Sequence, residues 1–121
     1  MDVAFKERIL DFALQIIHLA NALPKNPAGS VLERQLVRAG TSVGANVHEA
    51  EVAFSVNEWL YCMNVAKKEA KETCYWVTLI RRAEMAPSTS FKRIEAELDE
   101  IIGIPTKSIK TAQTKGRLGK F

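Results

Sequence analysis

The spacing of the apolar residues constrains the fold of this 121-residue chain more than any other feature. In the first segment, large apolar residues follow one another at intervals of three or four positions, the period of a helix that buries one face. These residues are Phe5, Ile9, Phe12, Ile16, Leu19 and Leu23. Similar spacing recurs in three later segments, and no strand-length window alternates apolar with polar residues. The sequence therefore predicts an all-α protein.

Prolines and capping residues divide the chain into four predicted helices within one domain. Ser30 with Glu33, and Ser55 with Glu58, have the spacing of a capping box, which is typical of a helix start. The predicted helices cover 3–23, 30–53, 55–85 and 88–112 of the single domain 1–121, with a kink at Pro105 and a flexible basic tail over 113–121. Since short connections favour antiparallel neighbours, we predict an antiparallel up-and-down four-helix bundle.

Polar side chains occur in or beside the predicted buried stripes of helices 2 and 3. Helix 2 carries a polar line composed of Arg38, Ser42, Asn46 and Glu49. The predicted buried stripe of helix 3 consists of Trp59, Cys62, Ala66, Glu69, Thr73, Trp76 and Ile80. Because an unpaired buried carboxylate is costly, we predict an ion pair between Arg38 and Glu69, extended by Glu72 or Asn46. This network either fixes the register of the helices or lines a ligand pocket.

No pattern of a catalytic, metal or cofactor site stands out in the sequence. A di-metal bundle needs Glu-x-x-His pairs, which are missing, and His48 directly precedes Glu49, so that the two side chains point about 100° apart on a helix. Cys62 and Cys74 have no histidine within helical reach, and about 18 Å of helix would separate them, which excludes a disulfide between them. Glycine-rich phosphate loops are also missing. We therefore expect a non-enzymatic protein without a cofactor.

The net charge of +3 comes from the C-terminal residues. Residues 1–104 hold twelve basic and fourteen acidic side chains. The charged residues beyond them are all basic, namely Lys107, Lys110, Lys115, Arg117 and Lys120. Further candidate phosphate ligands on helix 3 are Lys67, Lys71, Arg81 and Arg82. Basic strips of this kind can bind nucleic-acid phosphates. The alternatives, which the sequence favours, are a solubilising tail and a solvated helix face with internal pairs such as Lys68 with Glu72.

Two runs with specific polar identities resemble a known family. Residues 40–50 read Gly-Thr-Ser-Val-Gly-Ala-Asn-Val-His-Glu-Ala, and residues 66–76 read Ala-Lys-Lys-Glu-Ala-Lys-Glu-Thr-Cys-Tyr-Trp, with Ser55 between them. They resemble the four-helix bundle family named for proteins encoded in intervening sequences of bacterial 23S ribosomal RNA genes. The resemblance implies a homopentamer with a central channel. It also implies kinship with the accessory protein of diversity-generating retroelements, a pentamer of similar bundles that binds nucleic acid and a reverse transcriptase.

The cellular location and the class of partner follow from the same data. Charged residues near the N-terminus argue against a secretory signal, and the most apolar stretch, residues 12–23, is too short and too interrupted to span a membrane. We expect a cytoplasmic protein that does not contact a membrane.

Two functions remain open. The first is an oligomeric accessory protein that binds RNA or DNA through phosphate contacts, and the second is an oligomeric scaffold that binds a protein partner.

Overall fold

A computed structural model describes residues 3–103 as four helices joined by short connections. The helices α1 (Val3–Asn21), α2 (Pro27–Glu51) and α3 (Val56–Arg82) are followed by a 3-10 turn (Ser88–Ser90) and by α4, which covers residues 92–103. The prediction of an all-α, up-and-down four-helix bundle is confirmed. The predicted kink at Pro105, the end of helix 4 at 112 and the basic tail over 113–121 lie outside the described residues.

The start of α2 differs from the prediction because Asn26, not Ser30, caps this helix. Asn26 Oδ1 accepts a hydrogen bond of 2.8 Å from the Gly29 N–H, and Pro27 is the first helical residue. Proline suits this position, since the N–H that it lacks would have no partner in the first turn. Ser30 lies inside that turn, and its N–H donates to the Asn26 carbonyl at 2.9 Å. The predicted Ser30–Glu33 capping box is therefore wrong.

The start of α3 agrees with the prediction to one residue. Ser55 Oγ accepts a hydrogen bond of 3.1 Å from the Glu58 N–H, which confirms Ser55 as the cap. The Glu58 carboxylate in turn accepts from the Phe54 N–H at 2.9 Å rather than from the N–H of Ser55. Both bonds satisfy backbone donors that the helix cannot pair internally, so the start of α3 is fixed by its own sequence.

The end of α3 comes three residues before the predicted position. Glu84 has a φ of 55°, in the left-handed region, and its N–H bonds to the Arg81 carbonyl at 3.0 Å. The Met85 N–H bonds to the Ile80 carbonyl at 3.2 Å. This pair of bonds is the Schellman arrangement, which ends a helix by pairing its last carbonyls. Regular helix consequently ends at Arg82.

The boundaries of α1 and α4 also differ from the prediction. α1 ends at Asn21, and the N–H groups of Ala22 and Leu23 bond to carbonyls three residues earlier in a tighter turn. The segment Ser88–Ser90, which was predicted to open helix 4, forms a separate 3-10 turn, and regular helix begins at residue 92. Such tightened turns are common at helix ends, where the regular bonding pattern cannot continue.

The core lies between the helices, and α3 turns a somewhat different face toward it than predicted. The buried residues of α3 are Met63, Ala66, Ala70, Thr73, Val77 and Ile80. Ala70 and Val77 occupy the positions that were assigned to Glu69 and Trp76, which are only partly buried. A partial rotation of α3 about its axis moves the Glu69 carboxylate from the core to its edge. The cost of burying a charge favours that rotation.

Glycine on α2 allows α1 to approach closely. A Cβ atom at Gly40 would lie 2.6 Å from Ile16 Cγ2, and a Cβ atom at Gly44 would lie 3.0 Å from Ile9 Cγ2. The first distance is shorter than any normal carbon contact, so any larger residue at position 40 would force Ile16 to move. Both glycines are therefore positions of close packing between α1 and α2.

Ion pairs show which helices are neighbours around the bundle. Arg8 Nε lies 2.9 Å from Glu97 Oε2 and joins α1 to α4, while Arg81 Nε lies 3.1 Å from Glu95 Oε2 and joins α3 to α4. Both α1 and α3 also pack against α2. α1 and α3 are thus each flanked by α2 and α4, which leaves one side of each helix facing outward.

Candidate nucleic-acid interface

The predicted ion pair between Arg38 and Glu69 is present, with 3.5 Å between Nη1 and Oε2. The Arg38 guanidinium also contacts the Glu72 carboxylate, as the predicted extension required. Glu72 Oε2 in addition accepts a hydrogen bond of 3.0 Å from Trp76 Nε1. The group lies at the edge of the core, because the Arg38 side chain is 50% exposed and that of Glu69 is 16% exposed. Glu69 and Glu72 are therefore paired with Arg38 at a position where water screens their charges.

The other members of the predicted polar line bond within their own helix. Ser42 Oγ donates to the Arg38 carbonyl at 2.6 Å, and Asn46 Nδ2 donates to the Ser42 carbonyl at 2.8 Å. Glu49 is exposed. Of the six predicted network residues, only Arg38, Glu69 and Glu72 come together across helices. Within residues 3–103, no buried side-chain nitrogen or oxygen lacks a hydrogen-bond partner, so this region shows no polar atom awaiting a ligand.

The predicted basic strip of helix 3 is divided between two faces. Arg81 turns toward α4 and pairs with Glu95, whereas Lys71 and Arg82 are exposed and form no ion pair within the described residues. Lys67 is partly buried and has an interaction of its own. Lys68, which was expected to pair with Glu72, is exposed and without an ion pair in the same part of the chain, because Glu72 is bound to Arg38. The five tail residues from Lys107 to Lys120 lie outside the described residues.

The outward side of α3 forms a surface that was not predicted from the sequence. Opposite the buried side, seven exposed residues make up what we call the basic face of α3: Tyr61, Asn64, Lys68, Lys71, Tyr75, Leu79 and Arg82. Every exposed residue between positions 61 and 82 is either basic or uncharged. Two large rings lie in this face, since Tyr61 is 68% exposed and Tyr75 is 59% exposed. The regular interval of seven residues from 61 to 82 was the sequence signal that could have revealed it.

The outward surface of α1 has a different character. Four exposed aliphatic residues, Val3, Leu10, Leu14 and Ile17, form what we call the apolar face of α1. Their separations of seven, four and three positions place them on one side of the helix, opposite its buried residues. Beside them a groove of about 440 Å³ runs between α1 and α2 and includes Leu10, Ala13 and Ala45. Several exposed aliphatic side chains on one side of a helix are typical of a protein interaction site.

One ion pair borders the groove. Lys6 Nζ lies 3.0 Å from Glu51 Oε1, and this hydrogen bond holds the pKa of the Glu51 carboxyl below its ordinary value. His48 also lies in the groove wall. Because the pair is at the surface, it contributes little to stability, but it connects the start of α1 to the end of α2.

Cys62 has the properties of a structural rather than a reactive residue. Cys62 and Cys74 are free and partly buried. Burial raises the pKa of the Cys62 thiol, and the carboxylates of Glu58 and Glu49 raise it further. A thiol with a raised pKa stays protonated and is a poor nucleophile.

Residues 3–103 also lack the features of a metal centre and of a membrane span. This part of the chain contains no cluster of three or more His, Cys, Asp or Glu residues that could hold a metal ion. None of its helices has the length and apolar character needed to cross a lipid bilayer.

The amino-acid sequence and the fold both have known relatives. The sequence model of the family described as 23S rRNA-intervening sequence protein matches residues 1–107. The chain belongs to this family. A solved structure of a protein of unknown function from the S23 ribosomal protein family of Bacteroides thetaiotaomicron is 36% identical, with a TM-score of 0.80 over 87% of this chain and 97% of the other. No protein of curated function matches.

In this member of the 23S rRNA-intervening sequence protein family, the run 66–76 contributes to two surfaces. Its acids Glu69 and Glu72 turn toward Arg38 at the edge of the core. Its residues Lys68, Lys71 and Tyr75 are exposed and lie in the basic face. The run therefore separates negative charge from positive charge around one helix.

Proposed function

We propose that this protein is a non-enzymatic, cytoplasmic accessory protein that binds RNA or DNA as a homo-oligomer, which the family resemblance implies is a pentamer. The observation that carries the proposal is the charge of the basic face of α3. Between positions 61 and 82, no exposed residue is acidic, and Lys68, Lys71 and Arg82 form no ion pair within residues 3–103. A polyanion would gain phosphate contacts there without breaking existing pairs, and would release its own counterions.

The charge pattern around this face supports the same proposal. Residues 3–103 as a whole are slightly acidic, so net charge alone would not attract a nucleic acid. The nearest acids on α3, Glu69 and Glu72, are paired with Arg38 and thereby partly neutralised. An oligomer would present several copies of this weakly binding face and of the five basic residues beyond position 104. Binding of several copies to one strand would make the overall avidity higher than the affinity of a single face.

A charge-reversal pair tests this proposal. In Lys68→Glu/Lys71→Glu, the affinity for a fluorescein-labelled RNA or DNA should fall at least tenfold at about 50 mM salt, because two phosphate-binding side chains become repulsive. The slope of log affinity against log salt should also become shallower, by roughly one for each phosphate that is no longer bound. The measurement is fluorescence anisotropy over a salt series, with the full chain and with a chain that ends at Ile104.

The matched control is Arg34→Glu/Lys92→Glu, which changes the net charge equally. Arg34 and Lys92 are exposed on α2 and α4 and form no ion pair within residues 3–103. If both double variants lose the same affinity, the basic face of α3 is not the binding surface. If the full chain binds neither RNA nor DNA at low salt, the proposed function is wrong.

A second candidate is an oligomeric scaffold for a protein partner, and the apolar face of α1 is the observation that favours it. This surface would be buried against another chain through aliphatic contacts. Binding to a partner by this route should be insensitive to salt and to loss of residues 105–121. Nucleic-acid binding should be sensitive to both.

A further inference from the structure

The two tyrosines of the basic face are exposed in a way that packing within the bundle does not explain. Tyr61 and Tyr75 lie on the side of α3 opposite its buried residues, with 68% and 59% of their surface exposed. A solvated helix face needs only charged or small polar residues there. An aromatic ring left in water represents apolar area that a ligand can cover.

The rings alternate with cations at a regular interval. Tyr61, Lys68, Tyr75 and Arg82 are each seven residues apart. At about 1.5 Å of rise per residue, successive members are about 10 Å apart and the two rings about 21 Å apart. Since seven residues correspond to nearly two full turns, all four side chains lie along one side of the helix. The result is an alternation of flat apolar surface and positive charge.

Neighbouring contacts hold the second ring in place. The Tyr75 ring meets the Trp76 ring edge to face, with 5.0 Å between centroids and 74° between planes. Trp76 Nε1 donates to the Glu72 carboxylate, which the Arg38 guanidinium also contacts. The Tyr75 ring is thus oriented before any ligand arrives, which lowers the entropy lost on binding.

We propose that the basic face of α3 binds single-stranded nucleic acid, with bases stacked on Tyr61 and Tyr75 and phosphates bound by Lys68 and Arg82. This inference rests on the proposed function and specifies its ligand. Stacking on a side chain requires an accessible base face, which an unpaired strand offers and the interior of a duplex does not. At about 3.4 Å per stacked nucleotide, the two rings span about six nucleotides.

The test compares leucine with phenylalanine at both tyrosine positions. Tyr61→Leu/Tyr75→Leu removes the aromatic rings but keeps apolar side chains, whereas Tyr61→Phe/Tyr75→Phe keeps the rings and removes only the hydroxyls. The probes are fluorescein-labelled 15-nucleotide oligo(dT), oligo(rU) and a 15-base-pair duplex, measured by anisotropy at one fixed salt concentration. The two single-stranded probes distinguish DNA from RNA as the preferred strand.

The wild-type chain should bind a single-stranded probe more tightly than the duplex. The leucine variant should lose at least fivefold for each ring removed, while the phenylalanine variant stays within about twofold of wild type. Tyr61→Leu alone should show part of the loss and avoids the Trp76 contact. Circular dichroism and light scattering establish that each variant keeps its helices and its mass.

Four results would overturn the inference while leaving the proposed function standing. They are equal binding of duplex and single strand, equal loss in the leucine and phenylalanine variants, no loss in either variant, and dissociation of the oligomer by Tyr61→Leu. The third result would assign binding to charge alone, and the fourth would make this face an interface between copies of the chain. If no probe binds the wild-type chain, the proposed function fails together with the inference.

Discussion

The outward surfaces of α1 and α3 belong to the same bundle but have opposite chemistry. The apolar face of α1 carries four aliphatic side chains, while the basic face of α3 carries three cations and two tyrosine rings. Water solvates cations well and aliphatic surface poorly, so the two faces differ in what they gain from a partner. Under the proposed function, the apolar face of α1 would bind another protein chain and the basic face of α3 would bind a polyanion.

The largest expected effect concerns the mass of the particle in solution. Leu10→Gln/Leu14→Gln should weaken self-association about tenfold or more and shift the mass measured by light scattering toward the 13.5 kDa of one chain. Each leucine is about half-exposed, so that its burial in an interface would contribute about half of the roughly 1.5–3 kcal/mol of full burial. These substitutions leave the net charge unchanged. The variant Lys68→Glu/Lys71→Glu serves as the comparison and should keep the wild-type mass. An unchanged mass in the leucine variant would show that the apolar face of α1 does not join copies of the chain.

A smaller effect is expected where the inner side of α1 meets α2. Gly40→Ala should lower the free energy of unfolding by about 1–2 kcal/mol, because displacing Ile16 costs more than the gain in helix propensity. Gly44→Ala is the matched control and should change it by less than about 1 kcal/mol, since its Cβ meets a single atom of Ile9 at 3.0 Å. Urea unfolding at fixed protein concentration measures both. Equal changes in the free energy of unfolding at the two positions would mean that the contact between α1 and α2 is not tighter at Gly40 than at Gly44.

The smallest expected effect concerns the acids at the edge of the basic face. Arg38→Gln should reduce the free energy of unfolding by at most about 1 kcal/mol, because the pair is half-exposed. It should also weaken nucleic-acid binding about twofold at low salt, since the unpaired carboxylates of Glu69 and Glu72 would then repel phosphates bound on the basic face. The control Arg34→Gln removes the same charge but uncovers no carboxylate. A larger loss in the control would show that only net charge matters.

Periodicity was sufficient to predict the four helices, but local chemistry decided where they begin and end. Ser55 was identified as a cap because its side chain bonds to the next turn, which sequence spacing reveals. Ser30 has the same spacing to a glutamate, yet Asn26, four residues earlier, caps the helix, and Pro27 is its first residue. The left-handed turn that ends α3 could not be predicted from the sequence. Glycine is the residue usually found at such a position, whereas this chain has Glu84 there.

The candidate site was predicted only in part because exposure depends on the rotation of α3. Glu69 falls on the heptad positions that suggested burial, and its partner Arg38 was predicted correctly. The rotation that moves Ala70 into the core also turns Tyr61 and Tyr75 fully outward. Tyrosines in a helix are commonly half-buried, so a count of charges finds Lys71 and Arg82 but overlooks the two tyrosine rings on the same face.

Photocrosslinking to an oligonucleotide that contains 5-iodouracil tests the central claim most directly, because it locates the bound strand on the protein surface. After irradiation and proteolysis, mass spectrometry identifies the crosslinked peptides and residues. We expect crosslinks at Tyr61 and Tyr75 that disappear when unlabelled single strand is added, and none at the apolar face of α1. Competable crosslinks confined to α1 or α4, with none between positions 61 and 82, would contradict the assignment of α3 as the nucleic-acid-binding surface.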